Sequence, residues 1–312
     1  MEIFSLSLHL DDYLRLRRQL GFKLRVVGIL LRNFVRFAEQ EGAAFINTKL
    51  ALRWATLPSG IKKVQRANRL GVVRRFAEYM SALESRTEVP AQKLIPYQFR
   101  RQDPYHYTEE NVLQLIGGAR QIDPSNKIKG PTLGTLFGLL AVTGMRVGEA
   151  VSLDREDVDF SQGLLTIRRV KGNKSRLVPL HPSTAQALQQ YARLRDQIYP
   201  RPMSPSFFVW EGGVRLLHCT IHRWFLLVAC EAGLRKPGGR RGPRLHDLRH
   251  YFAIRTLLNW YRSDADVEAR LPELATYLGH VHVRDSYWYL SAVPELLKLA
   301  TLRWERSEKG GK

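Results

Sequence analysis

The stretch Leu164-Leu165-Thr166-Ile167-Arg168-Arg169-Val170-Lys171-Gly172-Asn173-Lys174-Ser175-Arg176-Leu177-Val178-Pro179-Leu180 carries the clearest β-signal in the chain. Residues 164–170 are rich in apolar and β-branched side chains, Gly172-Asn173 can turn the chain, and 176–180 return. Two antiparallel strands are expected there. Around them the pattern is helical. Upstream, an apolar helix over 132–142 is stopped by Gly144, and a short helix begins near Val147. Downstream a helix is expected over 182–199. Beyond 207–210 and the turn at Gly212-Gly213 the rest reads as helix, with breaks at 237–243 and 262–264. The fold class expected is mainly α with a small antiparallel β-sheet, an α+β arrangement.

At 312 residues, with 44% hydrophobic composition, the chain can bury two ordinary cores. Residues 1–92 read as an all-helical domain. In 24–40, Val27, Leu30, Leu31, Phe34, Phe37 and Ala38 recur at helical spacing while Arg25, Arg32 and Arg36 fall on another face. In 61–80, Val73, Phe76, Ala77 and Met80 point inward. Periodicity then stops: Pro96 and Pro104, with Arg100 and Arg101 between them, make 93–107 an extended basic linker. Thr108, followed by Glu109 and Glu110, is a helix N-cap that opens a second domain over 108–312.

Lysine and arginine number 49 against 29 acidic residues, a formal net charge of +20. Such a field attracts polyanions, and the basic residues are spread over both halves rather than gathered in a tail. Lys62, Lys63, Arg66 and Arg69 form one basic helical face, to be read either as phosphate contacts or as a solvated surface. No apolar run reaches membrane-span length, and the N-terminus lacks the order of a secretory signal. A cytoplasmic protein with no membrane partner is therefore expected. Cys219 and Cys230 have no CxxC partner and read as free thiols.

Several residues could carry chemistry, each with a bland alternative. Arg146 follows a helix-ending Gly144-Met145 at the start of a new helix, a place that suits an anion or a salt bridge to Glu149. Lys171 stands at the hairpin tip, where a lysine can deliver a proton or simply face solvent. In Arg244-Leu245-His246-Asp247-Leu248-Arg249-His250, Pro243 precedes a helix start, so His246 and Arg249 share one face of the first turn. His246 and His250 also mimic the spacing of zinc proteases, but that scheme needs glutamate and a third ligand. Tyr287, Trp288 and Tyr289 follow Leu278-Gly279-His280, and a tyrosine cluster is ordinarily packing.

Taken together, Thr143-Gly-Met-Arg146-Val-Gly-Glu149, Val170-Lys171-Gly-Asn-Lys174-Ser-Arg-Leu-Val-Pro-Leu180, His246-Asp-Leu-Arg249-His250, Leu278-Gly-His280 and Tyr289-Leu290 resemble, in this order, the catalytic domain of the tyrosine recombinase (phage integrase) family. The resemblance covers about 108–306; residues 1–92 look like the helical core-binding domain that precedes it in relatives. It implies a site-specific recombinase that cuts and rejoins DNA through a 3′-phosphotyrosyl link without metal, ATP or other cofactor. Tyr289 would be the nucleophile, with Tyr287 as its rival. Arg146 and Arg249 would hold the phosphate, with Glu149 orienting Arg146. Lys171 would protonate the leaving 5′-oxygen, with Lys174 as its rival and a DNA contact. His246 would accept the tyrosine proton and His280 would position the phosphate. The implied partner is double-stranded DNA at paired sites, bound by a homotetramer, alone or with partner recombinases, passing through a Holliday junction. The 294–304 helix would dock on a neighbouring protomer, as in relatives, or on its own core. A type IB topoisomerase-like relaxation activity and a silent DNA-binding relative are the competing readings.

Overall fold

The computed structural model describes residues 5–97, 103–170, 174–201, 203–239, 241–263, 265–280, 282–287, 289 and 294–310. The chain divides into two compact units, Met1–Gln102 and Asp103–Lys312. The first is built from α1 (Leu6–Gln19), α2 (Arg25–Gln40), α3 (Thr48–Thr56) and α4 (Lys63–Met80). Ser5 and Asn47 cap α1 and α3 by accepting backbone N–H bonds. Leu14, Leu31, Phe34, Trp54, Val73, Phe76 and Met80 fill the core between them. Arg69 is part of this packing: its guanidinium lies 3.7 Å from the centre of the Trp54 ring and donates to the Trp54 carbonyl at 2.9 Å. Lys62 and Lys63 remain exposed, and Arg66 is half-buried.

The second unit opens with Tyr105 and Tyr107, which pack edge to face at 5.0 Å. Tyr107 enters the main core, so the last linker residues are packed structure. Thr108 caps α5 (Glu109–Gln121), accepting from the Asn111 N–H. The apolar α6 (Lys129–Thr143) runs through the centre, buried on most of its circumference, and α7 (Val147–Val151) follows. The sheet comprises β1 (Val158–Asp159), β2 (Leu164–Val170) and β3 (Lys174–Pro179), antiparallel in the order β1-β2-β3. The hairpin is thus joined by a third, two-residue strand. In the β2–β3 register Leu165 faces Val178 and Ile167 faces Arg176. Leu165, Ile167 and Val178 are buried, so this is the inward face, and the register places Arg176 on it too. Leu177, one residue on, points outward and is 59% exposed.

After the sheet come α8 (Pro182–Ile198), α9 (His218–Glu231), α10 (Asp247–Arg262), α11 (Val267–Leu278), a single turn α12 (Arg284–Tyr287) and α13 (Pro294–Gly310). The C-terminal helix docks on its own unit. Leu296 is buried with Ala253, Ile254, Leu257, Leu271 and Leu274, Arg262 pairs with Glu295 at 2.7 Å, and Arg303 donates to the Ala265 carbonyl. Burying one leucine side chain stabilises by about 2 kcal/mol, so the attachment is substantial. Leu297 and Leu302 of the same helix stay exposed. Among the described residues no helix is long and apolar enough to cross a membrane.

Candidate active site at the end of helix α11

A helix leaves its last carbonyls without intrahelical partners, and their partial negative charge favours cations. The end of α11 uses two arginines from distant parts of the chain. Arg249, in the first turn of α10, donates from Nη2 to the Leu278 carbonyl at 2.6 Å and from Nη1 to the Gly144 carbonyl at 2.8 Å. Arg146 donates from Nη2 to the Gly279 carbonyl at 3.0 Å. Both guanidinium groups therefore converge on one turn. Arg249 is 2% exposed, whereas the Arg146 side chain keeps 40% of its surface. Burial, reinforced by the positive charge of Arg146, lowers the Arg249 pKa to about 10. It still carries its charge at neutral pH.

Arg146 is the N-cap of α7, and Glu149 fixes it twice. The carboxylate accepts from the Arg146 backbone N–H at 2.9 Å and from Nη1 at 2.8 Å. Glu149 also accepts from both terminal nitrogens of Arg176, at 2.7 and 3.1 Å. Burial raises the Glu149 pKa, but the hydrogen bonds from Arg176 and Arg146 outweigh it and hold the carboxyl below its ordinary range.

Two glycines allow this convergence. Gly144 ends α6 at φ 60°, and a Cβ there would stand 2.5 Å from the Phe252 ring, which stacks on Tyr277. Gly279 ends α11 at φ 67°, where a Cβ would lie 3.0 Å from Arg176 Nη1 and 3.6 Å from Arg146 Nη1. Gly279→Ala is accordingly expected to cost about 1 kcal/mol in backbone strain alone. It should also push aside the Arg176 guanidinium, 3.0 Å from the added Cβ, and loosen its grip on Glu149. Thermal melting checks the stability effect; a variant that melts like the wild type would contradict it.

The histidines and Tyr289 complete the cluster. Asp247, fully buried, accepts from the Arg244 backbone N–H at 2.9 Å and from its guanidinium at 2.8 Å, locking the turn that presents His246 as the N-cap of α10. His246 packs edge to face against His250 at 4.8 Å, and the His250 ring lies 5.5 Å from that of Tyr289. The His280 ring is parallel to Tyr289 at 6.1 Å, and its Nδ1 hydrogen-bonds Ser286 Oγ at 2.8 Å. Burial, with help from Arg249, pushes the His246 pKa down. Asp247 faces Arg244, and among the described residues no group of three His, Cys, Asp or Glu side chains gathers to hold a metal.

Tyr289 does not lie on a helix. Helix α12 ends at Tyr287, and the Tyr289 N–H closes a turn onto the Ser286 carbonyl at 3.0 Å. Tyr287 is 54% exposed, whereas Tyr289 is 1% exposed, inside the cluster. Lys171 lies outside the described residues. Lys174 begins β3, and its side chain is likewise undescribed. Lys62, Lys63, Arg66 and Arg69 belong to the other unit. Sequence reasoning missed Arg176, His250 and Ser286. Only the β2–β3 register could have signalled Arg176, through its pairing with the buried Ile167.

The sequence profile of the phage integrase family matches residues 106–295. The chain belongs to the phage integrase family of tyrosine recombinases. A Sinorhizobium fredii protein bearing the name integrase/recombinase y4rB is 44% identical over 95% of this chain and 96% of its own length. Among solved structures, the integrase of transposon Tn1549 in complex with transposon right end DNA superposes with a TM-score of 0.66, covering 96% of this chain and 98% of that one at 14% identity. The XerH site-specific recombinase bound to palindromic difH substrate, a post-cleavage complex, superposes at 0.64, covering 89% of this chain and 78% of that one at 20% identity. At these identities the likeness is one of fold, mainly α with a small antiparallel sheet.

Proposed function

We propose that this member of the family recombines double-stranded DNA at paired specific sites, as a tetramer, through a covalent 3′-phosphotyrosyl intermediate on Tyr289 and a Holliday junction. The observation that carries the reading is the convergence of Arg146, Arg249, His246, His280 and Tyr289 at the end of α11. In this scheme the Tyr289 oxygen bonds to phosphorus and the bond from phosphorus to the 5′-oxygen breaks. The tyrosine proton passes to His246, and Lys171 supplies the proton that the departing 5′-oxygen takes up. Arg146 and Arg249 stabilise the charge that builds on the non-bridging oxygens, which gives the reaction its electrophilic assistance without a metal. A phosphoester is exchanged for a phosphoester, so attack by an incoming 5′-hydroxyl reverses the step with no ATP. Because Tyr289 is buried, DNA binding has to bring its hydroxyl to the phosphate before attack. The exposed Lys62 and Lys63 of the helical unit, with Arg66, supply sequence-independent phosphate contacts.

The test starts from a duplex that the full-length protein selects out of a random-sequence pool. Nicked beside the mapped cleavage position, this duplex traps the intermediate, and a protein–DNA species that survives denaturant and carries the protein on a 3′ end is expected. Exchange between two such duplexes distinguishes recombination from simple relaxation. Absence of any covalent species under these conditions would sink the proposal.

The depressed His246 pKa sets the pH profile. A proton acceptor must be neutral, and lowering the pKa keeps it neutral as pH falls past the ordinary histidine value of about 6.5. Adduct formation should therefore hold steady down to about pH 6.5 and decline only below it. His246→Gln is expected to slow the reaction about 100-fold and to flatten that acid limb. A limb centred above pH 7 would contradict the assignment.

A further inference from the structure

The inward face of the sheet is apolar at Leu165, Ile167 and Val178, yet its remaining cross-strand partner, opposite Ile167, is an arginine. Burying a cation there is costly, and an apolar residue of similar size would ordinarily be the more stabilising choice. The Arg176 side chain keeps only 14% of its surface, and its Nε, also buried, has no hydrogen-bond partner among the described residues. What the arginine gains is the Glu149 carboxylate, gripped by both terminal nitrogens in the paired geometry that guanidinium groups favour. The same carboxylate holds Arg146 by its backbone and its side chain. Gly279, whose missing Cβ would stand 3.0 Å from Arg176 Nη1, leaves room for that guanidinium near the one of Arg146.

We propose that Arg176 is a positioning residue for cleavage: through Glu149 it fixes the guanidinium of Arg146 where the scissile phosphate must sit. The inference rests on the recombinase reading above. Without Arg176 the Glu149 carboxylate would be held from the Arg146 side alone, Oε2 by the backbone N–H and Oε1 by Nη1, both on one loop-to-helix turn. With Arg176 clamping both oxygens from the sheet side, the carboxylate has one orientation, and so has Arg146. The sheet that presents Arg176 also carries the hairpin, so an alternative role is to place the leaving-group proton donor. Chemistry separates the two. A scissile methylphosphonate is neutral, and its transition state carries less negative charge for a guanidinium to stabilise. A 5′-bridging phosphorothiolate releases a thiolate that needs no proton.

The experiment compares wild-type protein and Arg176→Ala on the pool-selected nicked duplex in three forms: ordinary phosphodiester, scissile methylphosphonate and 5′-bridging phosphorothiolate. On the phosphodiester, Arg176→Ala should form adduct about 10- to 100-fold more slowly than wild type, with DNA affinity changed less than about twofold. On the methylphosphonate the gap should shrink to about threefold or less, whereas on the phosphorothiolate it should persist. Equal rates on the phosphodiester would overturn the inference. So would a defect that the phosphorothiolate alone repairs. If Arg176→Ala does not fold, Arg176→Lys carries the test, because a single ammonium cannot grip both carboxylate oxygens in the same fork. The same pattern of repair is expected of it. Failure of the wild-type protein to form adduct on any of the three would overturn the recombinase reading, and this inference with it.

Discussion

Tyr289→Phe is expected to abolish the denaturant-resistant protein–DNA species on the nicked duplex, a loss of at least about 10,000-fold, because it removes the phenolic oxygen proposed as the nucleophile. Tyr287→Phe should form the species within about twofold of wild type, in line with the small effects of surface changes away from a site. The contrast is informative because the substitution at 289 removes one atom and leaves the ring. That ring lies against His250 and His280 and inside the small core that holds Leu257, Leu274 and Leu296. Packing is therefore retained, and stability should shift by no more than about 1 kcal/mol. Duplex binding, which rests on basic residues elsewhere, should be unaffected. A Tyr289→Phe protein that still forms the adduct would remove the nucleophile from this position. An inactive protein that no longer binds DNA would instead show that the hydroxyl organises the second unit.

How much of this was legible beforehand varies with the kind of signal. Gly144, Arg146 and Glu149 sit within a few residues of one another at a helix start, so local rules were enough to place an arginine and its carboxylate partner together. Pro243 and the His246–Arg249 spacing likewise follow from helix geometry alone, and α10 begins at Asp247 as they require. The hairpin was readable from its alternation, but β1 spans only Val158–Asp159, too short to leave a period. Arg176 stayed hidden because its meaning depends on register: beside Lys174 it looks like one more charge at a turn. Its inward direction follows only from Ile167 standing opposite it. The C-terminal helix shows another limit. An apolar face declares only that something covers it; in this single chain Leu296 and Glu295 meet the α10 and α11 region. Tyr289 shows the same limit: its burial beside an exposed Tyr287 arises in a turn that follows α12, which no periodicity announces.

Arg249→Ala should carry the second largest effect, and it should act on fold and chemistry together. In the proposed chemical step Arg249 stabilises phosphate charge, and its loss is expected to slow adduct formation at least about 1,000-fold. In the fold, the carbonyls of Gly144 and Leu278 lose their donors at 2.8 and 2.6 Å. Leaving a buried acceptor unsatisfied costs about 1–3 kcal/mol, partly relieved here by removal of a cation whose burial was itself costly. A net destabilisation of about 2 kcal/mol is expected, seen as a lower melting temperature in calorimetry. To separate the two, the cleavage rate is measured well below the melting temperature, with protein in excess over the nicked duplex. Arg249→Lys sharpens the distinction. Lysine keeps the positive charge but not the fork that joins the ends of α6 and α11, so it should recover part of the stability and little of the rate. A lysine variant that cleaved at nearly the wild-type rate would mean that charge alone suffices at this position. An alanine variant within tenfold of wild type would mean that Arg249 is a structural tie between the two helix ends, and that Arg146 alone meets the phosphate.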